Sequence, residues 1–219
     1  MSGETPILYS YWRSSCSWRV RLVMNLKGIS YDVKPISLTK TGGEQHSKEY
    51  REINPIEQIP ALVIDGVTLI ESLSIMEYLE ETRTKVPLLP TDPAGRAKVR
   101  EICSVIASGI QPLQNLAVVN YLEEEKRADW IKHFITRGFT AVEKLLESTS
   151  GKYCIGDNIT FADCCLIPQV YNARRFHVSL ESFRIITRID EELQSHPAFI
   201  KAHPNSQSDC PQADNTNLA

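Results

Sequence analysis

The stretch ILYSYWRSSCSWRVRLVMNLKGISYDV, residues 7–33, decides the fold. Ile7-Leu8-Tyr9-Ser10-Tyr11 is a short run with strand propensity. A polar break from Arg13 to Ser17 follows. Val20, Val23, Met24 and Lys27, with Leu22 and Leu26 alongside, then recur at helical spacing. Gly28 stands where a helix is commonly closed by a left-handed residue. Ile29, Tyr31 and Val33 alternate with polar neighbours and predict a second strand. A β-α-β opening builds a parallel strand pair.

Outward from that unit, Thr39 to Ser47 is polar, contains Gly42-Gly43, and predicts a mobile loop. Lys48 to Ile53 predicts a short helix ended by Pro55. Residues 61–64 and 67–70 are apolar runs joined by Asp65-Gly66, a strong hairpin signal. Leu73, Ile75, Met76 and Leu79 mark a helix to about Glu81. The order β-α-β-α-β-β-α is the thioredoxin-like one. Residues 85–92 hold prolines and predict a linker. Asp92-Pro93 is a cap followed by proline at the first helical position. Beyond it the pattern is helical: Val99, Ile102, Val105 and Ile106 share a face, and Pro112 should interrupt that helix. Another helix runs through Trp130, Phe134, Val142 and Leu146. Thr160-Phe161-Ala162-Asp163 is close to a capping box. Phe183, Ile186, Ile189 and Leu193 predict a last helix. The expected organisation is therefore α/β plus all-α, with a thioredoxin-like domain over 1–84, a linker over 85–92, an all-helical domain over 93–203, and a frayed polar tail over 204–219.

The 219 residues are 42% hydrophobic and 23% charged, with a formal net charge of -3. With no basic excess, nucleic acid is not an expected partner. No stretch is apolar enough to cross a membrane, and Ile7 to Trp12 is too short for a signal peptide. The six cysteines form no C-x-x-C pair and no zinc-spaced cluster, so no metal site is expected. We read them as reduced and the protein as cytosolic.

The chemistry concentrates in Ser14-Ser15-Cys16-Ser17, between a strand and a helix. A helix N-terminus offers unpaired N–H groups and about half a positive charge, and receives an anion without a charged side chain. One serine could be a plain cap. Three hydroxyls and a thiol in four residues exceed what a cap needs. A thiol with a pKa near ~8.5 needs roughly 2.7 kcal/mol to reach about 6.5. A hydroxyl donating to the anion supplies about 1.5–3 kcal/mol, and the helix end about 0.3–1 kcal/mol. The thiolate is either Cys16 itself or that of a bound ligand, and Cys16 reads equally well as a small packed residue. In a second segment, Gln58-Ile59-Pro60, a bend at proline would expose the Ile59 backbone to a peptide-like ligand, with the proline cis or trans. Glu71-Ser72 opens another helix that could hold a carboxylate.

Ser14-Ser15-Cys16-Ser17-Trp18-Arg19-Val20-Arg21 resembles the signature of the zeta class of the glutathione transferase superfamily. The resemblance extends over Asn54-Pro55, Gln58-Ile59-Pro60, Asp65-Gly66 and Glu71-Ser72. It continues in residues 109–116 and 153–157, and so covers nearly the whole chain. It implies a glutathione-dependent isomerase that converts maleylacetoacetate to fumarylacetoacetate in tyrosine and phenylalanine catabolism, with side activity on small α-haloacids. It implies glutathione as cofactor, a small anionic substrate, a homodimer, and a cytosolic location that allows a mitochondrial fraction. Ser14, Ser15 and Cys16 would be catalytic. Together with Ser17, Trp18, Arg19, Gln45, Ile59, Pro60, Glu71, Ser72, Gln111, Asn115, Leu116 and Ala117 they would bind glutathione: Gln45 at the glycyl end, Ile59 at the cysteinyl backbone, Glu71 and Ser72 at the γ-glutamyl end. Arg13 and Arg175 would meet the substrate. Arg174 adds a neighbouring cation, for dianion affinity or merely solvated.

Other readings share these residues. A conjugating transferase would consume glutathione and favour an apolar acceptor pocket. A monothiol enzyme would form a mixed disulfide on Cys16. A non-catalytic module of the same fold would have little use for the hydroxyl cluster. The isomerase reading stands first and the module last. Trp130, Phe134, Cys164, Cys165 and the Thr160–Asp163 cap read as structural, and Glu123 to Glu125 as a solvated face.

Overall fold

The computed structural model describes residues 4–211. Its strands and first helices are β1 (Ile7–Ser10), α1 (Ser15–Leu26), β2 (Asp32–Pro35), α2 (Lys48–Arg51), β3 (Ala61–Ile64), β4 (Val67–Ile70) and α3 (Ser72–Thr82). There follow α4 (Pro93–Gly109), α5 (Leu116–Val119), α6 (Glu124–Thr149), α7 (Phe161–Arg175), α8 (Arg184–Gln194) and α9 (Pro197–Ala202). The chain divides into two compact units. One is the chain to Val86 joined by the chain from Pro197; the other is Pro87–His196.

In the first unit the sheet order is β2-β1-β3-β4. β1 is parallel to β2 and antiparallel to β3, so Leu8 lies opposite both Val33 and Leu62. β3 and β4 form the expected hairpin, with Asp65 and Gly66 at φ 53° and 78°, the left-handed pair that a tight two-residue turn demands. Leu8, Leu22, Leu62, Ile75, Met76 and Leu79 are buried where the sheet meets α1 and α3. The second strand starts later than its apolar alternation suggests. Ile29 gives its N–H back to Met24 O at 2.9 Å across Gly28 at φ 67°, closing α1. Pairing therefore begins at Asp32, whose N–H reaches Pro6 O. Residues 39–47 hold two short 3₁₀ turns, Lys40–Gly42 and Glu44–His46.

The chain after Pro197 departs from expectation. It was expected to finish the helical domain and then fray, but it belongs to the first unit. Arg21, buried on α1, donates to Ala202 O at 3.1 Å, and Asn25 donates to Ala198 O. Trp18 meets the His203 ring edge-on, with centroids 5.2 Å apart. Asp209 accepts the backbone N–H of Trp12 at 2.9 Å. Polar residues here complete another element's hydrogen bonds rather than solvate a free end. The rest of the expected 204–219 tail, residues 212–219, lies outside the described residues.

The second unit is helical throughout. Asp92 caps α4 by accepting from Gly95 N, with Pro93 in the first turn. α4 ends at Gly109, and Pro112 sits in a 3₁₀ turn over Gln111–Gln114, so the proline does interrupt the helix. α6 begins with exposed Glu124 and Glu125, where carboxylates favour the helix dipole. α7 begins with the predicted capping box: Asp163 accepts from Thr160 N at 2.8 Å and also from Cys154 N at 2.9 Å. Both carboxylate oxygens of Glu143 take N–H groups at the start of α8, from Ile185 and Ile186. Gln114 and Gln169 form a buried reciprocal amide pair. Ile106, Phe139, Val142, Leu146, Leu166 and Ile189 fill the core. Trp130 and Phe134 stack at 4.6 Å, the indole N–H going to Leu113 O. Cys164 and Cys165 are buried, and none of the six cysteines forms a disulfide.

Candidate active site

Ser14 is the N-cap of α1, with extended backbone angles, and its Oγ accepts from Ser17 N at 3.2 Å. A hydroxyl has one hydrogen to give and two lone pairs to receive. The helix engages a lone pair, so the hydrogen remains available for an anion at the helix end. Capping and thiolate binding are thus compatible uses of one side chain. Ser15 is buried beside it, and Cys16 is half-buried.

The loop that carries Ser14 is fixed by a residue the sequence did not single out for this purpose. Arg21 donates to Trp12 O at 3.0 Å, to Tyr11 O at 3.4 Å and to Ser10 Oγ at 3.1 Å. Burial pulls its guanidinium down to about 10, so it remains cationic at neutral pH. Asp209 holds the Trp12 N–H from the other side of the same peptide segment. Asp209 is 197 positions from Trp12, and no local pattern signals that contact.

Arg19 joins two helix starts. Its Nη1 lies 3.8 Å from Cys16 Sγ and 3.2 Å from Ser72 Oγ, and Arg19 and Ser72 are both buried. The structure thus brings Cys16, Arg19 and Ser72 together. Glu71, before Ser72, has φ 66° with no side-chain cap bond. A non-glycine residue there costs about 1–3 kcal/mol and persists where its surroundings impose it, commonly at ligand clamps. Ile59-Pro60 is a cis peptide. The bend before it is held by Tyr50 Oη and Asn54 Nδ2, both donating to Gln58 O at 2.6 and 2.7 Å. Burial raises the Tyr50 phenol well above its usual range, so it stays a donor.

The remaining expected residues fall into distinct surroundings. Ser17, Trp18 and Arg19 have side chains packed in the core, so any contact they make with a ligand is through the backbone or through neighbours. Arg13 lies over the Trp12 ring at 4.9 Å. Gln45 follows Gly43 on the second 3₁₀ turn. In the helical unit, Gln111 opens the 3₁₀ turn, and Asn115 caps α5 by accepting from Ala117 N at 3.0 Å. Leu116 and Ala117 are exposed on that short helix. Arg175 ends α7, exposed, with its guanidinium 4.8 Å from the Phe176 ring. Its neighbour Arg174 is not merely solvated, because it pairs with buried Asp190 at 2.6 Å. No group of three or more metal-ligating side chains occurs among the described residues.

A thioredoxin-like unit with hydroxyls at its first helix start, continued by a helical unit, defines a thiol-binding class of protein. Comparisons with known proteins agree. Residues 13–82 match the glutathione S-transferase N-terminal domain, and residues 112–206 the glutathione S-transferase C-terminal domain. The chain is 68% identical over 210 residues to the probable maleylacetoacetate isomerase 2 of Drosophila melanogaster, covering 96% of this chain and 92% of that protein. A crystal structure of the maleylacetoacetate isomerase of Anaeromyxobacter dehalogenans, with glutathione bound in its active site, superposes with a TM-score of 0.87 at 42% identity. That match covers 94% of this chain and 98% of that one. A bacterial zeta-class maleylpyruvate isomerase superposes with a TM-score of 0.90 at 36% identity, covering 94% and 100%. The chain belongs to the glutathione S-transferase family.

Proposed function

We propose that this protein catalyses the glutathione-dependent cis-trans isomerisation of maleylacetoacetate to fumarylacetoacetate. The observation that carries the reading is the Ser14 hydroxyl, whose oxygen is engaged by Ser17 N–H and whose hydrogen is left for a ligand thiolate. The relatives at high identity carry the isomerase name.

The residues fit glutathione. The N-terminus of α1 with Ser14 suits its thiolate, the Ile59 backbone its peptide, the strained Glu71-Ser72 start of α3 its γ-glutamyl end, and Gln45 its glycyl end. Bound there, glutathione supplies a nucleophile that adds reversibly to a conjugated alkene, so that the former double bond turns before elimination restores the thiol. Ser14 holds the sulfur as an anion by donating its hydrogen. Arg19 fixes Cys16 and Ser72, positioning both helix starts. In the helical unit, Arg175 offers an exposed cation to the substrate carboxylate and to the negative charge that develops on the adjacent carbonyl. Arg13 is a second candidate for that carboxylate. Gln111, Asn115, Leu116 and Ala117 of the helical unit are the further residues we assign to glutathione. We place the enzyme in the cytosol as a homodimer, with side activity on small α-haloacids.

The test uses maleylacetone with limiting glutathione, counting thiol before and after. Many turnovers to the trans isomer without net thiol loss support the isomerase. Thiol loss equal to substrate loss means a conjugating transferase instead.

A further inference from the structure

Gln111 and Asn115 lie on a piece of chain with little regular structure of its own. α4 ends at Gly109, a 3₁₀ turn covers Gln111–Gln114, and Asn115 is extended, at φ -72° and ψ 144°, before it caps the four-residue α5. Pro112 has no N–H to give to a helix ladder. Helices this short are not stable by themselves. The conformation of residues 111–119 is therefore imposed by bonds from other elements. Both Gln111 and Asn115 are partly exposed, so each is open to a ligand.

Two helices supply those bonds. On α6, Trp130 donates its indole N–H to Leu113 O at 2.8 Å. Arg127, three positions earlier, donates to Leu122 O at 3.0 Å and to Asn120 O at 3.5 Å, just beyond α5. On α7, Gln169 makes a reciprocal pair with Gln114. Gln114 Nε2 donates to Gln169 Oε1 at 2.9 Å, and Gln169 Nε2 donates to Gln114 Oε1 at 3.0 Å. Exchanging oxygen and nitrogen in both amides at once leaves the same two bonds, so the pairing holds whichever way the two are turned. Gln169 is fully buried and Gln114 is 7% exposed.

Stability alone does not call for this pair. Two apolar side chains of similar size would fill the same space at little or no loss, because both desolvated amides would be gone together. Apolar packing has no direction, whereas two amides joined by opposed bonds hold one mutual orientation. Direction is what the pair adds. It fixes Gln114, the last residue of the turn that Gln111 opens and the residue immediately before Asn115. We propose that Gln169 is a positioning residue for the glutathione site. Paired with Gln114, it holds the turn so that Gln111 and Asn115 meet the ligand in one arrangement. The inference rests on the reading that Gln111 and Asn115 bind glutathione. Gln169 is enclosed, so it acts through Gln114 rather than by touching the ligand.

The experiment measures KM for glutathione, kcat and the urea midpoint in the wild type, Gln169→Leu, Gln114→Leu and the double variant. Each single change strands one buried amide and should lower the midpoint. In the double variant both amides are gone, and the midpoint should return close to that of the wild type. KM for glutathione should rise roughly three- to tenfold in all three variants, with kcat within about twofold, because a misplaced turn loses binding that is uniform along the reaction. A double variant that regains the wild-type KM overturns the proposal, since the pair then serves packing alone. An unchanged KM in the single variants overturns it too. If the double variant does not fold, Gln169→Glu decides. Protonated, its carboxyl has one donor and one acceptor for Gln114; ionised, it only accepts. Its KM should match the wild type at low pH and exceed it as the carboxylate forms, and a KM that follows the wild type at every pH overturns the proposal. Gln111→Ala and Asn115→Ala test the underlying reading separately: if neither moves KM, the segment does not bind glutathione, whatever the pair does for stability.

Discussion

Ser14 Oγ accepts the Ser17 N–H at 3.2 Å, so the residue that caps α1 keeps a hydrogen for a ligand anion. Removing the hydroxyl should therefore have two separable effects. Ser14→Ala loses a helix cap, about 1 kcal/mol of stability by denaturant unfolding. It also loses a hydrogen bond to a charged partner, about 1.5–3 kcal/mol, which appears as a roughly 10- to 150-fold fall in kcat/KM. Ser14→Gly, which caps nearly as well, should keep most of the stability while losing the activity.

Asp209 and Trp12 are tied by one hydrogen bond to a backbone N–H, two residues before Ser14. Asp209→Ala should raise KM for glutathione several-fold, in keeping with a bond worth about 1 kcal/mol. Asp209→Asn retains an acceptor oxygen and should restore most of the loss. Equal KM values in all three proteins would mean that the C-terminal segment does not position the loop.

Lys27 is almost fully buried against Glu80, with Nζ 2.6 Å from the carboxylate and further bonds to Arg83 O and Val86 O. Lys27→Met leaves a buried carboxylate without its cation and should cost about 3–5 kcal/mol in urea unfolding. Lys27→Met with Glu80→Leu should recover much of that, because the desolvation cost disappears with both charges.

Arg174 and Arg175 are adjacent but should separate cleanly. Arg174 neutralises buried Asp190, so Arg174→Gln should lower stability by about 1–3 kcal/mol and leave substrate KM nearly unchanged. Arg175→Gln should raise KM for an anionic substrate by a larger factor than Arg174→Gln does.

Local signals recovered a good part of this molecule. Asp65-Gly66 located its hairpin, and Asp92-Pro93, Thr160–Asp163 and Ser14 located their helix starts. Each is read from residues within a few positions of one another. The failures have the opposite character. Alternation at Ile29 and Tyr31 was outweighed by the closure of α1, which takes the Ile29 N–H. The chain from Ala202 to Asp209 gave no sign of these contacts because its partners, Trp12, Trp18 and Arg21, lie near the other end of the sequence.

Ser14 at the α1 N-terminus should hold a ligand thiolate as an anion by donating its hydroxyl hydrogen to it. The most direct test is the ultraviolet thiolate absorbance of enzyme-bound glutathione, titrated with pH in the wild type and in Ser14→Ala. The bound thiol should ionise well below the free value of about 8.5, and should shift back up by one unit or more in Ser14→Ala. A bound thiol that ionises at the same pH in both proteins would contradict it.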